Sequence, residues 1–188
     1  MDTSQIPDSL KPLETLLGEL SDPSQLTSHL QGLSQDQWRD LLDLSRRKGA
    51  KTNTRDFIEY VWAEHLSENN GGFLPDHLLE AIAYIENELV AQGADGVVLM
   101  PRGASKTTGI TQGWLSKKIA DNVHIRVGLF SNTDRQAWAF SGAIRSCYET
   151  NDRFIELYGD CTSRKKWTDA EWLHKDSKHQ RSKDRTVY

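Results

Sequence analysis

The chain has 188 residues, of which 37% are hydrophobic and 27% charged, and its formal net charge is −4. This length accommodates one domain, or one domain with a small helical appendage, and the composition is that of a soluble globular protein. No apolar run approaches the roughly 18 residues that a membrane span needs, and the N-terminus lacks the pattern of a secretory signal. The negative charge argues against a protein that holds DNA over its whole surface, so a DNA contact would be confined to a local patch.

The first part of the chain predicts short helices joined by turns. Apolar residues recur at helical spacing over Leu10–Leu20, and a second short helix is expected over Gln25–Leu33. Ser34 and Gln37 have the spacing of a capping box. They predict the start of a further helix, which Gly49 ends.

A change of pattern near residue 70 predicts a domain boundary. Asn53 or Thr54 caps another helix, and the turn cluster Asn69–Gly72 follows it. We therefore expect a helical N-terminal region over residues 1–70 and a different domain over residues 71–188.

The second region alternates helical and strand-like patterns. A helix is predicted over Pro75–Gln92, and Val97–Met100 is a short unbroken apolar run, typical of a strand buried on both faces of a parallel sheet. A helix over residues 106–121, a second buried strand over Ile125–Phe130 and a helix over Arg135–Glu149 follow. This order predicts an α/β fold, namely a P-loop NTPase-like parallel sheet with flanking helices, incomplete in this chain and preceded by an all-helical region.

The stretch Pro101–Thr108 lies between the first predicted strand and its helix, where a phosphate group binds well. Backbone N–H groups at a helix start are unpaired, and the helix dipole adds positive charge. Gly103 permits a tight turn, Lys106 brings a full positive charge on a flexible stem, and the Thr107 hydroxyl can reach a Mg²⁺ ion beside the phosphates. These features predict a phosphate-binding loop.

The loop departs from the strict Walker A pattern. Met100 stands where the first glycine belongs and Ser105 replaces the second. The stretch Leu99–Thr108 nevertheless resembles the loop of large terminase subunits of tailed phages, which has the form Pro-Arg-Gly-x-Gly/Ser-Lys-Thr/Ser-Thr. Ser105 in place of the commoner glycine is the main difference from that form.

Three further stretches are similar to the same family. Phe73–His77 resembles the segment before the ATPase strand, Val127–Thr133 resembles the second strand and its loop, and Lys166–Trp172 resembles a Lys-Trp-Thr-x-x-Glu element. The resemblance covers about residues 73–188 and leaves out the helical front.

The resemblance implies an ATP-binding part of a viral DNA-packaging motor. It implies that ATP and Mg²⁺ are the cofactors, with Thr107 contacting Mg²⁺ through its hydroxyl and His77 contacting adenine. The ATP-binding residues that it implies are Arg102, Gly103, Ala104, Ser105, Lys106, Thr107 and Thr108. The implied partners are double-stranded DNA, the portal of the viral procapsid, the small terminase subunit and further copies in a ring. The implied location is the cytoplasm of the infected host cell, with no membrane association.

Groups needed for turnover are missing from the sequence. No apolar run ending in Asp-Glu follows the loop, although such a pair supports Mg²⁺ and orients the attacking water in ATPases of this type. The carboxylate-rich nuclease domain of full terminases is also absent. We therefore expect a fragment or a split gene product that binds ATP but hydrolyses little by itself, and the catalytic residues stay unknown.

Two other functions remain open. One is a different P-loop NTPase, helicase-like or kinase-like, and the other is a non-enzymatic helical module that binds a partner. The remaining candidate residues favour structural roles, since Trp167 and Trp172 are expected to pack and not to stack on bases. His174 and His179 are expected to face solvent.

Overall fold

The structure is a computed structural model, and it describes residues 32–70, 72–163, 167–168 and 170–178, with the side chains of residues 67–70 left out. The predicted helix Leu10–Leu20 lies outside the described residues, as does all of Gln25–Leu33 except its last two residues. Lys166 and the residues after 178, His179 among them, also lie outside them.

The described part of the chain is helical. Its α-helices are α1 (Gln35–Gly49), α2 (Thr54–Val61), α3 (Ala63–Asn70), α4 (Asp76–Tyr84), α5 (Leu115–Asp121), α6 (Asp134–Thr150) and α7 (Asp152–Tyr158). Two stretches are wound as π-helix: π1 (Ile85–Val90) continues α4, and π2 (Thr107–Trp114) leads directly into α5. The contacts divide the chain into two compact units, Met1–Lys48 and Gly49–Tyr188.

In the first unit, the predicted capping box is present at the start of α1. The Gln37 amide donates to Ser34 Oγ at 3.2 Å, and the Ser34 amide donates to Gln37 Oε1 at 2.9 Å. Each side chain thus satisfies a backbone N–H group that the first turn would leave unpaired. The prediction of a helix from this point to Gly49 is confirmed.

In the second unit, polar side chains also begin three of the helices. Asn53 Oδ1 accepts from the Arg55 and Asp56 amides ahead of α2, and Thr133 Oγ1 accepts from the Gln136 amide ahead of α6. Asn151 caps α7 in the same way. Helix α7 was not predicted from the sequence.

The core of this unit forms where α2, α4, π2, α5, α6 and α7 pack together. Its fully buried large side chains are Phe57, Ile58, Leu66, Leu74, Leu78, Ile119, Ile144, Tyr148, Phe154, Trp172 and Leu173. Gly109 lets π2 approach α4 closely, because a Cβ atom at this position would lie 2.7 Å from Leu78 Cδ1. The segment that follows residue 106 is therefore held firmly against the core.

The predicted parallel sheet is wrong: the described residues contain no sheet. Val97–Met100 and Ile125–Phe130 are non-helical segments that form no ladder in the described part of the chain. An isolated antiparallel bridge joins Trp167 and Trp172.

Side-chain burial gives the physical reason for the missing sheet. The segment Ile125–Phe130 turns only one side toward the core. That side consists of Ile125, Val127 and Leu129, whereas Phe130 is 94% exposed. Val97 and Leu99 are likewise 78% and 88% exposed. A parallel sheet requires helices covering both of its faces, and here the outward side chains of both segments have no such cover.

Candidate functional site

The loop Pro101–Thr108 has an unusual backbone. Gly103 and Ser105 both have left-handed backbone, with φ values of 82° and 53°, and Ser105 is the non-glycine residue with positive φ among the described residues. Lys106 returns to the right-handed region, with φ of −55° and ψ of −43°. Neighbouring residues of opposite hand turn their N–H groups toward one side, which creates a concave surface for an anion.

The loop leads directly into π2. The Gly109 amide donates to the Ser105 carbonyl oxygen at 2.8 Å, so the N–H groups of Lys106, Thr107 and Thr108 precede the first hydrogen bond of this helix. Such groups have no partner within the helix, and they carry the positive end of its dipole. The start of π2 therefore attracts anions.

The loop lines an open cavity of about 440 Å³, and every residue that lines it belongs to the stretch from Met100 to Thr108. Arg102 and Lys106 are exposed here. Neither side chain forms an ion pair within the part of the chain that the structure describes. Two cations next to N–H groups at a helix start are a suitable arrangement for phosphate oxygens.

The structure brings His77 to the same loop, although 27 residues separate it from Ala104 in the sequence. His77 Nε2 lies 3.1 Å from the Ala104 carbonyl oxygen. A carbonyl oxygen only accepts hydrogen bonds, so the ring donates from Nε2. This contact with the loop was not anticipated from the sequence, where the family resemblance implied an adenine contact for His77.

Thr107 is exposed at the start of π2, as a ligand of phosphate-bound Mg²⁺ requires. Within the described residues, no group of three or more His, Cys, Asp or Glu side chains could hold a metal ion. Mg²⁺ in phosphate sites keeps several water molecules and uses few protein ligands. The residues present thus fit a metal that arrives with a nucleotide, with one hydroxyl from Thr107.

A half-buried carboxylate, that of Glu86, connects the helix that follows the loop to its neighbours. Glu86 Oε1 accepts from Thr54 Oγ1 at 3.1 Å, from Trp114 Nε1 at 3.0 Å and from Lys118 Nζ at 2.7 Å. Burial by itself would raise the pKa of Glu86, but these hydrogen bonds and the Lys118 charge hold it below its usual value. The network joins α2, π1, π2 and α5, so the loop is attached to a fixed support.

A second cavity, of about 560 Å³, lies between the end of α2 and the start of α7. Cys147 lies in its wall, and burial raises the pKa of this thiol to about 12, so it is a poor nucleophile near neutral pH. The residues around this cavity are far apart in the sequence and belong to no motif. No sequence signal could have indicated it.

The remaining candidates are structural. Trp172 is fully buried, and its Nε1 donates to Ser141 Oγ at 3.1 Å, while Trp167 packs edge-on against it at 5.2 Å between ring centroids. The expectation that these tryptophans pack is therefore confirmed. The expectation that His174 faces solvent is wrong, because it is buried beside Tyr148 and burial lowers its pKa.

Comparisons of the chain with protein-family models, curated proteins and solved structures found no match. The chain's own residues and the resemblance of its loop are therefore what point to a function. No helix in the described ranges is both long and apolar enough to cross a membrane.

Proposed function

We propose that this chain binds ATP with Mg²⁺ through the loop Pro101–Thr108, as the nucleotide-binding part of a large terminase subunit. In the motor to which it would belong, ATP hydrolysis drives double-stranded DNA through the procapsid portal. The small terminase subunit and further copies of the chain would be the other partners, in the cytoplasm of an infected host cell.

One observation carries the proposal. The loop lines an open cavity by itself, its backbone changes hand between Ser105 and Lys106, and the residues lining the cavity include Arg102, Lys106 and the start of π2. Each of these features attracts phosphate. Together they provide backbone N–H donors, the positive end of a helix dipole and two side-chain cations. Phosphate binding is argued from these local features of the loop, whereas the terminase family is proposed only from the resemblance of the loop sequence.

The roles of the individual residues follow from their positions. The N–H groups at the start of π2 would bind phosphate oxygens, and Lys106 would neutralise charge on the terminal phosphates. The Thr107 hydroxyl would contact Mg²⁺, and Arg102 would reach a phosphate from the other side of the loop. A helicase-like or kinase-like NTPase would use the same residues in the same way, so the loop alone leaves that alternative open.

A second candidate function is a helical interaction module without enzymatic activity. Trp38 and Leu42 favour it, since these large apolar side chains are exposed and lie one turn apart on α1. Exposed aromatic and aliphatic side chains with helical spacing are the usual anchors for a partner.

Titration with ATP-Mg²⁺ separates these functions. We expect saturable binding of one nucleotide per chain, with competition by inorganic tripolyphosphate because the loop recognises phosphates. Absence of binding at millimolar ATP would contradict the nucleotide proposal and leave the interaction module as the better account.

A further inference from the structure

His77 stands on a part of the structure that cannot easily move. It lies in the first turn of α4, between Leu74 and Leu78, which are both buried in the core. The Leu74 amide also donates to the buried carboxylate of Glu59 at 3.0 Å. The imidazole is exposed, but the backbone that carries it is anchored on both sides.

The contact of His77 with Ala104 determines the orientation of one peptide group. The Ala104 carbonyl and the Ser105 N–H belong to the same planar trans peptide, so they point in opposite directions. When His77 Nε2 holds the carbonyl oxygen at 3.1 Å, the Ser105 N–H must point away from His77. A carbonyl oxygen turned toward the cavity would instead repel a phosphate.

The backbone of Ser105 favours the opposite orientation. Its φ of 53° lies in the left-handed region, which is unfavourable for residues with a Cβ atom. Half a turn of the peptide between Ala104 and Ser105 would return Ser105 to negative φ and would release the Ala104 carbonyl. Where the terminase loop commonly has glycine, this chain has serine, so an additional restraint is needed to keep the peptide in place.

We propose that His77 is a positioning residue of the phosphate loop, which prevents this peptide from rotating. This inference rests on the proposed function, and it assigns His77 to the phosphate end of the nucleotide and not to adenine. It also explains how the loop tolerates Ser105.

Paired substitutions test the role of the Nε2 donor. His77→Gln keeps an N–H donor at similar reach, whereas His77→Phe keeps a ring without a donor and His77→Asn is too short. We expect the Phe and Asn variants to bind ATP-Mg²⁺ about fivefold to tenfold more weakly than the wild type, which is the value of one hydrogen bond. The Gln variant should bind with the affinity of the wild type. Equal melting temperatures would show that all variants fold.

Two probes, ATP-Mg²⁺ and inorganic tripolyphosphate with Mg²⁺, identify the end of the nucleotide that His77 serves. A positioning role predicts that His77→Phe weakens both by the same factor. Weaker ATP binding with unchanged tripolyphosphate binding would overturn the inference in favour of an adenine contact. Unchanged binding of both would overturn it outright, and failure of the wild type to bind either probe would instead refute the proposed function.

The background variant Ser105→Gly tests the mechanism separately. Glycine has no penalty at positive φ, so the peptide has less tendency to rotate, and His77→Phe should then have a smaller effect than in the wild type. If His77→Phe weakens binding as much in the Ser105→Gly background as in the wild type, His77 does not act by restraining a strained peptide.

Discussion

The amide nitrogen of Gly109 lies 2.8 Å from the carbonyl oxygen of Ser105, so a residue with left-handed backbone accepts the hydrogen bond that starts π2. Backbone strain of this kind persists only where the surrounding structure enforces it, and it concentrates at functional sites. Here the enforcing elements are the helix on one side and the His77 contact with Ala104 on the other.

The strain at Ser105 should be measurable as stability. We expect Ser105→Gly to have a larger free energy of unfolding than Ser105→Ala, by about 1 kcal/mol, because only alanine retains a Cβ in the left-handed region. Both variants lack the hydroxyl, so their difference isolates the backbone effect. Urea denaturation of the two proteins measures it, and an alanine variant at least as stable as the glycine variant would refute a left-handed Ser105.

Lys106 should contribute to ligand binding and not to folding. It is exposed and forms no ion pair among the described residues, so Lys106→Ala removes a charge without leaving a cavity in the core. We expect its affinity for ATP-Mg²⁺ to fall by about 10-fold to 100-fold, as for loss of a charge-assisted hydrogen bond, with an unchanged melting temperature.

Lys175→Ala is the matched control for Lys106→Ala in calorimetric titration. Lys175 is also exposed, but it lies outside the loop. Equal affinity of the Lys106→Ala variant and the wild type would place the nucleotide elsewhere.

We expect binding without appreciable turnover. Loop N–H groups, Lys106 and Thr107 are sufficient to hold phosphates, whereas hydrolysis also requires a carboxylate that orients water. The sequence contains no apolar run ending in Asp-Glu after the loop. A phosphate-release assay on the purified chain should give a rate far below about 1 s⁻¹. A rate of about 1 s⁻¹ or more that is lost in the Lys106→Ala variant would mean that an unrecognised acid completes the site.

His174 should make stability depend on pH. The Asp176 amide donates to His174 Nδ1 at 3.1 Å, and only the neutral ring can accept this bond. Burial, reinforced by the charges of Lys175 and His124 and opposed by that of Asp176, lowers the pKa of His174 below its usual value. The unfolded chain therefore binds this proton more readily, so His174 stabilises the fold fully above about pH 6.5 and loses this effect as pH falls toward its folded pKa.

The variant His174→Asn isolates this contribution, since its amide oxygen can accept from Asp176 but does not titrate. We expect the wild type to lose more stability than the variant between pH 7 and pH 5, as measured by chemical denaturation at each pH. Parallel pH profiles of the two proteins would contradict the assignment.

The sequence predicted local features well, because a few neighbouring residues determine them. The Ser34–Gln37 box and the Asn53 cap identify helix starts directly. The missed helix α7 carried similar signals, with Asn151 at its start and Gly159 at its end, where φ is 73°. Both signals were available in the sequence.

Long-range features could not be predicted in the same way. The apolar run Val97–Met100 is compatible with a strand buried on both faces, but only the surrounding structure determines whether the second face is covered. The contact of His77 with Ala104 likewise depends on how α4 packs near the loop. Sequence spacing contains no information about that packing. For this reason the prediction of a sheet was wrong and the contact of His77 with the loop was missed.

The most direct test of the phosphate loop is the position of bound nucleotide, measured through backbone amide chemical shifts of the isotope-labelled chain during titration with ATP-Mg²⁺. If the loop binds the nucleotide, the largest shifts occur at the amides of Gly103–Thr108, with smaller changes at His77, and inorganic tripolyphosphate reproduces them. Shifts concentrated around the second cavity, near Trp62 and Arg153, or no shifts at saturating nucleotide, would contradict binding at the loop.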